Sequence, residues 1–387
     1  MMAGFLLARA GVSVVVLEKY VDFFRDFRGD TIHPSTLEVM SELGILDEFL
    51  RLPSQKVNHI SGQVGPDRLS IADFSRLPVA APFIAMMPQW DFLNFLASHA
   101  KPLAGFRLEM HTSADSLIEE GGKVVGVRAT GAQGPLEVHA SLTIGADGRH
   151  STLRELAGLK VRDLGAPMDV LWFGLPREDT DGGESIGRFD RGSVFVMINR
   201  DSYWQCGFVI PKGTIEAVRA AGLASFHSRI AALLPFDGGI ERTGSIITWE
   251  QVKLLTVTVD RLDTWYKPGL LMIGDAAHAM SPIGGVGVNL AIQDAVAVAN
   301  LLAAPLRAGI LTVANLAAVQ RRRLWPARVT QRLQVLAQNR LVGVALAGDR
   351  QLRAPWVIRA LTKTALFRGL IGRLIGMGVR PEHVRPS

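Results

Sequence analysis

Two kinds of apolar pattern alternate along the first part of the chain. Residues 1–10 predict the later part of a helix that ends at Gly11, a common C-terminal cap. The β-branched run over residues 12–17 predicts a strand that is buried on both faces of a parallel sheet. Apolar residues at a spacing of three or four predict helices over residues 34–50 and 88–100. This order of elements indicates an α/β fold.

Strand patterns become more frequent further along the chain. Residues 106–146 and 166–260 contain short apolar strands separated by turn residues, and a helix over 214–234 interrupts the second group. Residues 269–274 predict another buried strand, which leads through a glycine-rich loop into a long helix. From residue 312 onward the pattern is mostly helical.

These patterns divide the chain into a discontinuous Rossmann-like domain, an inserted β-sheet domain and a helical tail. We assign residues 1–57, 84–165 and 258–320 to the Rossmann-like domain, 58–83 and 166–257 to the inserted domain, and 321–387 to the tail.

Charge is distributed unevenly between the body and the tail. The chain has a formal net charge of +6, but residues 321–387 hold fourteen Lys and Arg against two acids, so residues 1–320 are net acidic. Because the basic character belongs to the tail, we predict no nucleic-acid partner. Two interpretations of the tail stay open: peripheral contact with an anionic membrane, or packing on the body or on a second copy in a homodimer.

The cysteine content and the N-terminal residues indicate the cellular compartment of the protein. The single cysteine, Cys206, excludes an internal disulfide framework and a Cys-based zinc site, and we predict no metal site. We expect Cys206 to be a small core residue. Residues 1–19 have no basic region ahead of their apolar run, so we predict no signal peptide. Together these features favour a reducing, cytoplasmic location.

The segment 269–295 is the strongest chemical motif. Its strand delivers Asp275 to the C-terminal edge of the sheet, where open α/β sheets bind ligands. The loop that follows contains residues that let a flat ring approach closely, namely Pro282, Gly284, Gly285 and Gly287. The next helix is predicted to start near Val288, so its positive end would face the loop and stabilise a ligand that becomes anionic.

Three weaker motifs precede it. Glu18 ends the first predicted strand, where a dinucleotide-binding unit places the acid that holds a ribose. Arg28 follows shortly after that strand, and Asp147-Gly148 ends a later strand ahead of a basic helix. Taken alone, Glu18 fits an ordinary αβ unit, Arg28 a surface ion pair and Asp147-Gly148 a common turn.

In combination the motifs resemble those of the FAD-dependent aromatic hydroxylases, the single-component flavoprotein monooxygenases similar to p-hydroxybenzoate hydroxylase. The resemblance covers essentially the whole chain and depends on motif order, which runs Glu18, Arg28, Pro88-Gln89, Asp147-Gly148, Gly274-Asp275, and Pro282 with the glycine loop. It implies that the Rossmann-like domain binds FAD and that the inserted β-sheet domain holds the substrate.

The resemblance also implies roles for individual residues. Glu18 would hold the adenosine ribose, and Arg28 and Gln89 would contact the pyrophosphate or ribityl region. Asp147 and Gly148 belong to a motif associated with both FAD and nicotinamide use. Asp275, preceded by Gly274, would hydrogen-bond the ribityl chain. The residues expected to line the isoalloxazine ring are Pro282, Gly284, Gly285, Gly287, Val288 and Asn289.

One expectation concerns the first strand of the FAD-binding domain. Members of the family open with a strand and a glycine fingerprint directly ahead of a segment like residues 1–11. Counting back about 20 residues from Glu18 reaches Met1 or beyond, so we expect both to be missing, through a start assigned too late or through truncation. On that expectation the chain binds FAD weakly, and a form extended by about 15–20 residues binds it well.

The resemblance implies a reaction in which NADH or NADPH reduces FAD and O2 adds to the flavin as a hydroperoxide, which hydroxylates an electron-rich ring, typically a phenol. The flavin carries the chemistry, so no catalytic side chain is assigned. Two alternatives stay open: a related FAD-dependent oxidoreductase without oxygen insertion, and a flavin-free remnant. Flavin-dependent halogenases share this fold and carry a spaced tryptophan pair on the substrate side. Residues 203–211 lack that pair, which argues against halogenation.

Substrate-binding residues are expected in the inserted domain, because aromatic and amide side chains suit a flat substrate with polar edges. The leading candidates are Trp172, Tyr203, Gln205 and Trp249, and the wider set adds Phe173, Trp204, Phe208 and Gln251. Aromatic residues that alternate along a strand are also typical of a core, and this second interpretation stays open. His278 is expected to be structural.

Overall fold

The computed structural model describes residues 1–24, 31–183, 185–190, 192–200, 202–343 and 352–385. The α-helices are α1 (Met2–Arg9), α2 (Pro34–Glu42), α3 (Leu46–Phe49), α4 (Gln89–Ala100), α5 (Thr152–Leu156), α6 (Ile215–Ala220), α7 (Leu223–Ala231), α8 (Gly239–Thr243), α9 (Gly287–Arg307), α10 (Val313–Ala337), α11 (Trp356–Lys363) and α12 (Ala365–Gly376).

The strands are β1 (Val14–Leu17), β2 (Thr31–Ile32), β3 (Gln55–Val57), β4 (His59–Val64), β5 (Asp67–Asp73), β6 (Ile84–Met86), β7 (Phe106–Glu109), β8 (Ser113–Glu120), β9 (Lys123–Gly131), β10 (Gly134–His139), β11 (Thr143–Gly145), β12 (Val161–Asp163), β13 (Met168–Pro176), β14 (Ile186–Asp190), β15 (Ser193–Asn199), β16 (Tyr203–Pro211), β17 (Lys253–Leu255), β18 (Asp260–Leu262), β19 (Tyr266–Lys267) and β20 (Leu270–Met272).

Two parallel strand pairs lie in the α/β part of the chain. Strand β1 pairs with β7, and β11 pairs with β20, which also pairs antiparallel with β19. The parallel pairing and the helices around it confirm the predicted α/β class with a Rossmann-like domain. Glu18 follows β1, whereas Gly274 and Asp275 follow β20.

The prediction that residues 12–17 are buried on both faces is wrong. Val15 is 39% exposed. The opposite face of β1 is covered by α1, since a Cβ on Gly4 would lie 2.6 Å from the Val16 side chain. A continuous β-branched run does not reveal that a helix covers only one of the two faces.

The helix predicted over residues 34–50 is interrupted. Gly44 has φ +74°, a left-handed conformation that ends α2 and lets the chain turn into α3. The apolar spacing of Leu37, Met40 and Leu46 continues across the break, and all three residues are buried. The spacing therefore identified the buried face but not the turn.

A seven-stranded sheet joins residues from two distant parts of the chain, in the strand order β17-β13-β16-β15-β14-β4-β5. One face packs on α7 through a cluster that includes Phe173, Phe208 and Phe226. The other face carries Val170, Val194 and Val209, against which Ile283 of the glycine loop packs. The sheet thus brings one of its faces to the loop, while our division into domains stays a prediction.

Helix α9 is a core helix that carries the glycine loop at its N-terminus. The segment Ile283–Arg307 is long and apolar enough to cross a membrane, but 61% of its apolar window is buried inside the protein. Val296, Val298 and Leu302 on α9 are fully buried. Its apolar character is therefore explained by packing against α1 and α10.

Candidate flavin site

Gly274 makes the turn by which strand β20 reaches the site. It has φ +58°, and a Cβ at this position would lie 3.0 Å from the Cβ of Ala291 on α9. Only glycine combines this conformation with such a close approach. The turn places Asp275 directly beyond the strand, at the edge where the sequence predicted it.

The loop after β20 is a second position where glycine is required. Gly284 and Gly285 have φ values of +80° and +62°. A Cβ on Gly285 would collide with the side chain of Thr31, whose hydroxyl donates to the Gly285 carbonyl at 2.9 Å. Because Gly287 begins α9 directly after this turn, the positive end of the helix dipole faces the loop.

Asn289 fixes this loop to the segment that follows residue 30. Its Oδ1 accepts hydrogen bonds from the His33 backbone N–H and the Thr36 hydroxyl, both at 2.8 Å. Its Nδ2 donates to the carbonyls of Thr31 at 3.0 Å and Gly285 at 3.3 Å. Asn289 therefore clamps the loop to residues 31–36, and its place beside the isoalloxazine ring stays a prediction.

Asp275 is the acid that faces this region. Its carboxylate lies 3.6 Å from the guanidinium of Arg149 and is about one-third exposed. A Cβ on Gly287 would lie 3.9 Å from Asp275 Oδ1, so the carboxylate stands beside the start of α9. A carboxylate at this position can accept hydrogen bonds from the hydroxyl groups of a ligand.

The carboxylate of Asp147 caps helix α5, while its predicted cofactor role stays a prediction. Its Oδ1 accepts the Ser151 hydroxyl at 2.5 Å, and its Oδ2 accepts the Leu153 backbone N–H at 3.1 Å. Both oxygens therefore stabilise the start of α5. Gly148 adopts φ +86° beside it and delivers Arg149 to Asp275. The two motifs meet through this arginine.

The remaining predicted cofactor residues are Glu18, Gln89 and Arg28. Glu18 follows β1 on the β1–β7 pair, and its Oε1 accepts the Tyr20 backbone N–H at 3.1 Å. Gln89 is the first residue of α4 and is half-buried. Arg28 lies outside the described residues. The structure therefore brings together Asp147, Asp275 and the glycine loop, whereas Glu18 stands on a separate sheet.

Trp172 lies on the sheet face that meets the glycine loop. It pairs with Gly207 across β13 and β16, and a Cβ on Gly207 would lie 3.0 Å from the Trp172 ring. Trp172 and Ile283 pack against the same valine cluster. The indole nitrogen of Trp172 is buried and has no hydrogen-bond partner within the described parts of the chain.

Gln205 and Tyr203 belong to the same face by strand alternation, because they lie two and four residues before Gly207. Gln205 is buried, and its Oε1 accepts Arg200 Nε at 2.9 Å. Tyr203 is 37% exposed at the start of β16. These two residues keep their predicted place as substrate candidates.

Trp249 and three members of the wider set lie on the sheet face opposite the glycine loop, where the core interpretation applies to them. Trp249 packs on the opposite face of the sheet, with its ring 5.4 Å from that of Phe226. Gln251 uses its Oε1 to accept backbone N–H groups of Ile247 and Thr248. The remaining members of the wider set are core residues of that opposite face, namely Phe173, Trp204 and Phe208.

A buried charge network, which the sequence patterns did not predict, lies behind the loop. Asp294 on α9 is fully buried, and its Oδ2 accepts the Gly274 backbone N–H at 3.0 Å and His278 Nε2 at 2.6 Å. Its Oδ1 accepts Arg323 Nε at 2.9 Å. Burial alone would raise the pKa of Asp294, but the charges and hydrogen bonds of His278 and Arg323 outweigh it and lower the pKa.

This network continues into the C-terminal segment. Arg323 Nη1 lies 3.3 Å from Glu382 Oε1, and Arg322 makes two hydrogen bonds of 2.6 and 3.0 Å to the same carboxylate. His278 is structural, as expected, since its ring is buried against Trp265 and paired with Asp294. An acid on the apolar face of α9 was the available signal, because a buried acid requires partners.

Cys206 is buried, and burial raises the pKa of its thiol, which confirms a core residue rather than a nucleophile.

A flavin fits these residues. The three glycines of the loop present no side chain to a flat ring, the start of α9 would stabilise negative charge on that ring, and the Asp275 carboxylate can accept hydroxyl groups. Fold and site together define a flavin-binding oxidoreductase. A family model described as "FAD binding domain" matches residues 1–332, and the chain belongs to this family.

Named relatives refine the class. The chain is 30% identical over 375 residues to 6-methylpretetramide 4-monooxygenase of Streptomyces rimosus. The aligned region covers 95% of this chain and 88% of that protein. It is 27% identical over 298 residues to an anhydrotetracycline monooxygenase of the same species, spanning 75% of this chain but 58% of that protein. The fold matches p-nitrophenol 4-monooxygenase of Pseudomonas putida with a TM-score of 0.75, at 19% identity and with 95% of each chain covered. The chain is thus an FAD-dependent aromatic monooxygenase, as predicted, and use of NAD(P)H and O2 is general to this family.

Proposed function

We propose that the chain hydroxylates a phenolic ring within a flat, fused-ring aromatic compound. In the balanced reaction one aromatic C–H bond becomes C–OH, with O2, NAD(P)H and a proton consumed and water and NAD(P)⁺ released. When bound, FAD supplies electron transfer from the nicotinamide to O2 and activation of the oxygen. The compounds named for the two Streptomyces relatives support this substrate class.

The observation that carries the proposal is the shared packing of Trp172 and Ile283. Both side chains contact one buried cluster between the seven-stranded sheet and the glycine loop. A flat substrate between this face and the loop would lie against the flavin ring. The buried indole N–H of Trp172, which has no partner within the described residues, would donate to a polar edge of the substrate.

The residues of the loop have defined tasks in this reaction. Asn289 holds the loop by donating to the carbonyl of Gly285. With FAD bound, the start of α9 would stabilise negative charge on the ring, and Asp275 would accept hydrogen bonds from the ribityl hydroxyls. The valines of the sheet face exclude water from the reacting ring.

A test uses the purified chain supplied with FAD and a panel of monocyclic and fused-ring phenols. We expect NAD(P)H oxidation coupled to a product one oxygen heavier, with fused-ring phenols preferred. Coupled hydroxylation of monocyclic phenols alone would contradict the substrate class. NAD(P)H oxidation without oxygen insertion would indicate the alternative oxidoreductase, and protein that retains no flavin absorbance would indicate a remnant.

A further inference from the structure

Helices α11 and α12 expose several large apolar side chains to solvent. Trp356 is 74% exposed, Leu366 86% and Leu370 62%. We define the tail face as Trp356, Val357, Ile358, Leu361, Leu366 and Leu370, all of which are more than one-third exposed. Exposed apolar patches of this kind mark interaction sites rather than ordinary surface.

The tail face stands on a firmly packed base. A Cβ on Gly372 would collide with the backbone carbonyl of Asp73, so α12 lies directly on β5. A Cβ on Gly376 would lie 3.1 Å from the side chains of both Phe74 and Leu77. Because these glycines occupy the inner side of α12, Leu366 and Leu370 on the same helix face outward.

The helices that carry the tail face contain basic residues and no acid of their own. Residues 356–376 contain three arginines and one lysine and no acid. Arg359 pairs with Asp67 at 3.4 Å, and Arg368 donates to the carbonyls of Thr362 and Lys363. Lys363 and Arg373 are exposed beside the apolar residues. The surface therefore combines exposed leucines and a tryptophan with cationic groups.

This combination argues against a second copy of the chain as the occupant. In a symmetric dimer the same face meets itself, so the basic helices would approach each other without acids of their own to pair with. An anionic lipid surface instead attracts every one of these cations, while tryptophan and leucine side chains enter the boundary between headgroups and acyl chains.

We propose that the tail face binds peripherally to an anionic membrane surface. This inference goes beyond the hydroxylation reaction and does not depend on it, because the tail face includes none of the residues of the flavin site.

Vesicle co-sedimentation of the full-length chain tests the proposal. Vesicles of phosphatidylcholine with phosphatidylglycerol, and of phosphatidylcholine alone, are compared at low and high salt. We expect binding to the anionic vesicles at low salt, and weakening by salt because surface charges are screened. The double variant Leu366→Ser, Leu370→Ser should lower the partition coefficient at least about tenfold, from the lost apolar burial.

Two further variants separate the contributions. Lys363→Gln with Arg373→Gln should weaken binding to anionic vesicles by about tenfold or more. The matched control is Ile240→Ser with Ile247→Ser, which removes side chains that are 59% and 74% exposed on another surface. This control should bind as the unchanged chain does.

Absence of binding to anionic vesicles at low salt would overturn the proposal, as would equal loss in the Ile240 and Ile247 control. Light scattering of the same samples provides the last outcome. A dimer that dissociates in the Leu366 and Leu370 variant, without vesicle binding by the unchanged chain, would assign the tail face to a second copy and reject the membrane.

Discussion

The carboxylate of Asp294 accepts the backbone N–H of Gly274 at 3.0 Å, and so joins the middle of α9 to the strand end that carries Asp275. The same carboxylate binds His278 and Arg323, both of which are buried. The flavin-facing turn is therefore positioned by a charge that lies behind it.

Asp294→Asn should weaken FAD binding as well as stability. The substitution leaves Arg323 and His278 buried beside a neutral group, and breaking a buried ion pair costs about 3–5 kcal/mol of unfolding free energy. Because Gly274 loses its charged acceptor, we expect at least about a tenfold rise in the dissociation constant of FAD, measured by fluorescence titration.

The control for this prediction is Asp169→Asn. Asp169 is also buried, and it pairs with Lys212 and the backbone of Gly213 on the sheet. We expect this variant to lose stability but to keep its FAD affinity. Equal losses of FAD affinity in both variants would show that Asp294 acts only through general stability.

Gly285→Ala should disturb the flavin loop more than backbone strain alone explains. A left-handed conformation costs about 1–2 kcal/mol for a residue with a Cβ. At Gly285 the added methyl group also collides with Thr31 and must move the loop. We expect weaker FAD binding, checked by the flavin content of purified protein.

Gly309→Ala supplies the matched comparison, since Gly309 has φ +67° but nothing within 4 Å of an added Cβ. It should lose a similar strain energy in thermal unfolding and retain its flavin. If the two variants retained the same amount of flavin, the loop would not form the ring-binding surface.

His33 should make the protein less stable as the pH falls from 6.5 towards 4. Burial lowers the pKa of His33 to about 4 from its ordinary value of 6.5, with a smaller opposing effect from the hydrogen bond to the Ile375 carbonyl. Between these values the unfolded chain binds a proton that the folded chain does not. Stability therefore falls by up to about 1.4 kcal/mol per pH unit from this group.

Urea denaturation of His33→Gln across that pH range checks the effect. We expect a flatter dependence of the unfolding free energy on pH than in the unchanged chain. His150 is exposed, so His150→Gln should keep the original slope. An unchanged slope in His33→Gln would contradict the assignment.

Trp172→Phe should affect the substrate rather than the flavin. It keeps an aromatic ring on the valine cluster but removes the buried N–H, and a lost hydrogen bond of about 0.5–1.5 kcal/mol corresponds to a two- to tenfold rise in KM. Trp249→Phe, on the opposite sheet face, should leave KM unchanged in steady-state kinetics. The reverse order of effects would place the substrate on the α7 side of the sheet.

Local sequence signals were sufficient to predict the glycine loop. The strand end, Asp275, the glycines and the start of α9 are neighbours in the chain, so their geometry follows from local turn and helix preferences. The same holds for Cys206, whose burial follows from its apolar surroundings in β16.

Contacts between residues that are distant in the chain could not be predicted from local sequence signals. Gly274 and Arg323 meet at Asp294 only after α9 and α10 pack together. The two faces of β13 and β16 are both apolar, so alternation alone did not distinguish Trp172 at the loop from Phe208 in the core. Asp147 was assigned by motif, whereas its oxygens are occupied by the start of α5.

Turnover of a fused-ring phenol under isotopically heavy O2 tests the central claim most directly. The account predicts FAD-dependent consumption of NAD(P)H and a ring-hydroxylated product that carries one heavy oxygen atom from O2. Consumption of NAD(P)H that yields hydrogen peroxide and no labelled product from any phenol tested would contradict it.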